Sequence, residues 1–179
     1  KFILKNNYKL ANDITAVSKL YYDEIDKKIL YAAIPNGNIY IYPDKLLCNL
    51  PSNYIYDLIR INNYYYAAGT NGRIFRIDAQ TGAFNVFYKL KDKNVLTLSR
   101  YKQFLIAGGS NTGLLYLISL SDPDNKSKAL ENFGNAEIRK ILVTQDNKIY
   151  AAVNFFSGQQ KSQQMNQPQT FSEADASEV

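Results

Sequence analysis

Apolar and polar positions along the chain repeat one motif several times. It is clearest from Tyr64 to Asp78, YYYAAGTNGRIFRID, where an aromatic and small-residue run meets a glycine-bounded turn and leaves in strict alternation. Gly69 and Gly72 bracket that turn, and glycine takes the positive φ of tight turns without steric cost. The pattern predicts a hairpin with strands at 64–68 and 73–78. The same hairpin is written as ILYAAI, a turn at Pro35, Asn36, Gly37 and Asn38, then IYIY. It returns as FLIAGG, a turn at Asn111, Thr112 and Gly113, then LLYLIS.

Each hairpin is preceded by a further apolar run: ITAVSKLYY, IYDLIRI and VLTLSRY, with a fourth, IRKILVT, before KIYAAVN. After KIYAAVN no turn and strand follow. Fourth strands are expected at Leu46–Leu50 and Phe84–Leu90, and a long polar connection at Ser121–Lys128. Gly37, Gly72 and Gly113 lie 35 and 41 residues apart, and Ala32, Ala67, Ala107 and Ala151 lie 35, 40 and 44 apart. Four short strands per step of this size predict an all-β, propeller-like fold with four-stranded antiparallel blades, about four of them present. A sandwich or barrel needs no such repeat, and a helical solenoid needs a 3.6-residue period that is not sustained here.

FILKNNYKLANDITAVS lines up with FNVFYKLKDKNVLTLS, which places Phe2–Leu10 as the fourth strand of a preceding blade. That segment either closes the fourth blade in a small ring or belongs to a longer propeller, and the longer propeller is the expectation. Residues 1–154 are thus read as blades. Residues 155–179 are rich in Gln, Ser and Asn, end in Glu173, Asp175 and Glu178, and are read as a disordered polar linker or tail.

Composition narrows the chemistry. Fifteen tyrosines and no tryptophan suit half-buried pleated surfaces. With no histidine and one cysteine, Cys48, the chain holds no Ser-His-Asp or Cys-His apparatus, no intrachain disulfide and no multi-thiolate metal site. The net charge of +5 is spread over scattered lysines, so no nucleic-acid patch is expected. There is also no apolar run long enough for membrane insertion.

AAGTNGRIFRIDAQTG, AGGSNTGLLYLISL and TQDNKIYAAVN resemble blades of bacterial β-propeller proteins of the WD-repeat-like and quinoprotein-like superfamilies. More narrowly they are similar to a bacterial group in which a low-complexity segment often interrupts one blade. The resemblance covers Phe2–Asn154. It implies that 155–179 is an insertion between the second and third strands of blade four, and that such chains are often exported, to the periplasm or beyond the cell. Ile77, Asp78, Ala79, Gln80, Thr81 and Gly82 partly match a pyrroloquinoline-quinone-type blade, but the docking tryptophan, catalytic acid and calcium ligands of that type are missing. No cofactor or metal is therefore expected.

Local candidates resolve towards structure. Gly69–Gly72 lacks the lysine and following helix of a phosphate loop and is a hairpin turn. Asp122, Asp124 and Asn125 have Lys126 and Lys128 where a calcium loop needs acids, and read as a polar loop. Cys48 lies in an apolar setting as a buried thiol. Of Tyr54, Tyr56, Tyr64, Tyr65 and Tyr66, beside Arg60, most belong between blades, with any outward subset free for recognition. The resemblance implies a ligand face where the strand 4 to 1 and strand 2 to 3 loops project together. Its tips are Asn36, Thr70, Asn71, Arg73, Asn94, Asn111 and Thr112. The expected function is non-catalytic binding or scaffolding of a protein or peptide. The competing reading is a segment of an enzymatic propeller whose catalytic residues lie outside this chain.

Overall fold

The computed structural model describes residue 10 and residues 14–156, and these form strands only. Blade 1 is β1 (Ala16–Asp23), β2 (Lys28–Ile34), β3 (Asn38–Ile41) and β4 (Lys45–Asn49). Blade 2 is β5 (Ile55–Ile61), β6 (Tyr64–Gly69), β7 (Arg73–Asp78) and β8 (Phe84–Lys89). Blade 3 is β9 (Val95–Tyr101), β10 (Phe104–Gly109), β11 (Leu114–Ser119) and β12 (Lys128–Asn132). Blade 4 has β13 (Ala136–Val143) and β14 (Ile149–Phe155). In every sheet sequence neighbours pair antiparallel, as expected of propeller blades.

Three details depart from the sequence reading. β12, the fourth strand of blade 3, opens at Lys128, the last residue of the expected polar connection, and has no strand pattern of its own, because KALEN offers only Ala129 and Leu130 as apolar residues. β14 runs on through Phe155, and the amide of Phe156 bonds the carbonyl of Asn135, so the blade extends past the expected boundary at residue 154. Residues 157–179, read as a tail or insertion, and Phe2–Lys9 of the expected preceding strand lie outside the described residues.

The third departure concerns the repeat itself. Each inner strand breaks register against its neighbour at one place: between Val17 and Lys19, Ile55 and Asp57, Val95 and Thr97, and Ile138 and Lys140. One residue is extruded there, a β-bulge that bends the strand. Past the bulge, Lys19 faces Ala32, Asp57 faces Ala68, Thr97 faces Gly108 and Lys140 faces Ala152. Ala32 therefore corresponds to Ala68 and not to Ala67, and the sequence alignment of the first two blades is one residue out.

Packing agrees. Leu30 and Ala32 of blade 1 join Leu58, Tyr65 and Ala67 of blade 2 in one buried layer. Tyr66 and Ala68, on the opposite side of blade 2, join Leu98, Leu105 and Ala107 of blade 3 in the next. Ile106 of blade 3 meets Ile138, Ile141 and Ala151 of blade 4 in the third. The core is a stack of such inter-blade layers, so β6, β10 and β11, in the middle of the inner blades, are buried on both faces and most of their apolar area leaves water.

Candidate functional site

The residues after the four bulges converge where the inner strands meet. Asp57 is at the centre and is almost fully buried. Its carboxylate lies 2.6 Å from the Lys19 ammonium of blade 1 and 3.9 Å from that of Lys140 of blade 4. It accepts the amide of Leu98 in blade 3 at 2.9 Å and that of neighbouring Leu58 at 3.0 Å, with the Thr97 hydroxyl at 3.4 Å. Thr97 repeats the pattern one blade on, accepting the Ile141 amide at 3.3 Å. A buried carboxylate is tolerated only when charge and lone pairs are met, and three neighbouring blades together meet these. Lys140 and Arg139, the latter paired with Glu137 at 3.3 Å, are exposed here, with side chains 63% and 56% accessible.

The bulges lie towards the strand 2 to 3 turns, so this centre and the expected ligand face share one end of the blades. The turns and loops there are tied to one another. Thr70 pairs with Asn94 in an antiparallel bridge, and Asn94 in turn exchanges bonds with Ser110: its amide donates to the Ser110 hydroxyl and its carbonyl accepts the Ser110 amide, each at 3.1 Å. Asp92, buried in the β8–β9 connection, accepts the amides of Asn111 and Thr112 at 2.8 and 2.9 Å and the Thr112 hydroxyl at 2.7 Å. Ser52 does the same work a blade earlier, accepting the Thr70 amide at 3.0 Å and meeting the Thr70 hydroxyl at 3.1 Å. Arg73 donates to the carbonyls of Thr70 and Pro51 and lies over the Phe75 ring. Asn36 accepts the Asn38 amide at 3.3 Å. Asn71 is an exposed turn residue at φ 59.

The structure thus brings Thr70, Asn94, Asn111 and Thr112 into one connected rim, with Arg73 beside it. Asn36 sits on the turn of blade 1, engaged within that blade. What the sequence reading missed is the centre: Lys19, Asp57, Lys140 and Arg139. The available signal was a carboxylate in the middle of an otherwise apolar strand, IYDLIRI.

The tyrosines divide as the alternation demands. Tyr65 and Tyr66 are buried between blades, whereas Tyr54 and Tyr56 stay partly accessible at the rim, ring centroids 4.5 Å apart. At the other end of the blade 1 and 2 junction, the Tyr65 hydroxyl donates to Asp23, whose carboxylate also pairs with Arg60 at 3.1 Å. Burial, then the hydrogen bond to Asp23, pushes the Tyr65 phenol well above its ordinary value. Burial likewise pushes the Cys48 thiol up to about 12, leaving it protonated and unreactive at neutral pH. Asp122 bonds within its own loop, to Asn125 and the Ser119 hydroxyl. Among the described residues no cluster of three or more metal-ligating side chains occurs, and no helix is long and apolar enough to cross a membrane.

No protein-family model and no curated protein matches the chain. Solved structures do. The extracellular domain of a one component system from B. thetaiotaomicron is similar over 82% of this chain at TM-score 0.62 and 20% identity. The WD40 beta propeller domain of Doa1 is similar over 76% at TM-score 0.60 and 12% identity, and the computationally designed Ika4 protein over 84% at 0.60 and 11%. The fold is a β-propeller-like array of blades. The chain spans 21% of the length of the B. thetaiotaomicron domain and 47% of that of Doa1.

Proposed function

We propose that the chain is a non-catalytic propeller module that binds a protein or peptide at the end where Asp57, the bulges and the loop rim meet. The observation that carries this reading is that the exposed side chains of Arg139 and Lys140, paired with Glu137 at 3.3 Å and Asp57 at 3.9 Å, and the partly accessible Tyr54 and Tyr56 rings lie at the same end of the blades. Tyr56, Arg139 and Lys140 are set on strands braced across blades by Asp57 and Thr97, and Tyr54 directly precedes β5. Such a surface offers charge-assisted bonds to carboxylates and flat apolar contact beside them, the combination that favours acidic, aromatic-tolerant peptide segments. Rigid support keeps the ordering cost of binding low.

The likeness to the extracellular domain of a bacterial one component system supports a place outside the cytoplasm. The likeness to a WD40 domain supports binding as the role of the blade array. Binding of a library of acidic, neutral and basic peptides by interferometry tests the proposal. The acidic set should bind best, and Arg139→Gln with Lys140→Gln should weaken it ~10-fold or more with the circular dichroism spectrum retained, the melting temperature falling slightly as Asp57 and Glu137 lose these partners. Equal binding of all three sets, or binding indifferent to that double change, would sink it.

A further inference from the structure

The bulge in each inner strand extrudes one residue per blade: Ser18, Tyr56, Leu96 and Arg139. Positions around it keep one chemistry from blade to blade. Val17, Ile55, Val95 and Ile138 precede the extruded residue, and Leu20, Leu58, Leu98 and Ile141 stand two places after it, all of them apolar. The extruded residue itself runs Ser, Tyr, Leu, Arg. In blades 2 and 3, which have a described blade on either side, Tyr56 and Leu96 stay partly accessible although Ile55, Asp57, Val95 and Thr97 are buried. Their accessibility is therefore a product of the bulge, which re-aims a side chain out of the inter-blade layers.

Cross-blade bonds hold the bulges level. Asp57, next after Tyr56, accepts the amide of Leu98, and Thr97, next after Leu96, accepts the amide of Ile141. Tyr56, Leu96 and Arg139 thus follow one another across three neighbouring inner strands. Ser18 is engaged within its own blade, donating to the Ala32 carbonyl at 3.3 Å. Glu137 holds Arg139 through Nε at 3.3 Å, which leaves the terminal nitrogens of the guanidinium fork as donors for a second carboxylate. We propose that the three extruded residues read the sequence of the bound peptide, Arg139 taking a carboxylate and Leu96, with Tyr56 beyond it, taking an apolar side chain directly beside that acid. This rests on the reading of the chain as a peptide-binding module and adds its specificity. The ligand is a segment in which Leu, Ile or an aromatic residue adjoins Asp or Glu, and Leu96 is the specificity-determining residue. The occupant follows from charge and polarity, one cation standing next to two apolar contacts in a row.

Interferometry with three Gly-Ser peptides of equal length and charge tests this. Each carries a Glu pair, with Leu directly beside the pair, at the far end, or replaced by Ser. The peptide with adjacent Leu should bind the full chain ~10-fold tighter than the other two. Leu96→Thr, which suits a strand, should bring that peptide down to the level of the others, whereas Leu96→Met should keep the preference. Circular dichroism checks that both variants fold, and the wild-type comparison decides on its own where one does not. Equal binding of all three peptides by the wild type overturns the inference and leaves the module reading standing. Binding of none overturns both. A preference that survives in folded Leu96→Thr also overturns the inference.

Discussion

The carboxylate of Asp57 accepts the backbone amide of Leu98 at 2.9 Å, joining one inner strand to the next through a side chain rather than through a ladder bond. The same carboxylate neutralises Lys19. Replacing Asp57 by Ala leaves a partly buried ammonium and two amides without their acceptor, a loss of about 3 kcal/mol. Asn keeps an oxygen for the amides and should cost about half as much. Urea midpoints of the two variants check the order, and Ala no worse than Asn would show that the charge centre contributes little.

At the opposite end of the same junction, Tyr65 and Arg60 share Asp23. Tyr65→Phe removes one hydrogen bond and keeps the ring beneath the Arg60 guanidinium, for a loss of about 1 kcal/mol. Asp23→Ala removes one of two carboxylates from the largely buried Arg60 side chain, which keeps Asp26 at 3.3 Å, and also takes the acceptor from the Tyr65 hydroxyl, so the loss should reach about 2 kcal/mol. A double-mutant cycle between positions 23 and 65 should therefore be non-additive.

The tyrosines set an alkaline limit. Burial raises the phenols of Tyr21, Tyr65 and Tyr66 above 10.0 in the folded chain. The folded state thus favours the protonated form, its contribution is complete below that value, and it is lost as pH rises through the raised ones. Tyrosinate absorbance and circular dichroism followed together upward from about pH 9 should show exposed phenols ionising first and the remainder only with loss of structure. Complete ionisation with the dichroism intact would contradict the burial.

Gly109 faces the Asp92 carboxylate so closely that a methyl group there would overlap it. Asp92 cannot yield without releasing Asn111 and Thr112. Gly109→Ala should cost about 2 kcal/mol and loosen the rim, visible as faster amide exchange at Asn111 and Thr112 with slow exchange retained at Leu105.

Much of this was written locally and some of it was not. Glycine turns and alternating strands such as Arg73–Asp78 depend on neighbours in sequence, and they fold where the pattern puts them. β12 is half-buried at the outer edge of its blade, where few apolar residues are required, so KALEN carries no strand pattern. The gathering of Lys19, Asp57 and Lys140 depends on residues 38 and 83 positions apart in sequence meeting where the inner strands converge, which no local pattern records. Thr70 and Thr112 were legible as turn residues, but not their capture by Ser52 and Asp92.

The extruded residue in each inner strand bears on how blades can be exchanged. Because two alanines stand side by side, at Ala32 and Ala33 and again at Ala67 and Ala68, a chimera spliced by matching the first of each pair would look seamless on paper. It would turn Ala67 and every alternate side chain after it towards the wrong neighbour, since side chains along a strand alternate with a period of two. Splicing Ala32 onto Ala68 keeps both packing layers, which makes the inner-strand bulge the true unit marker for recombining this repeat.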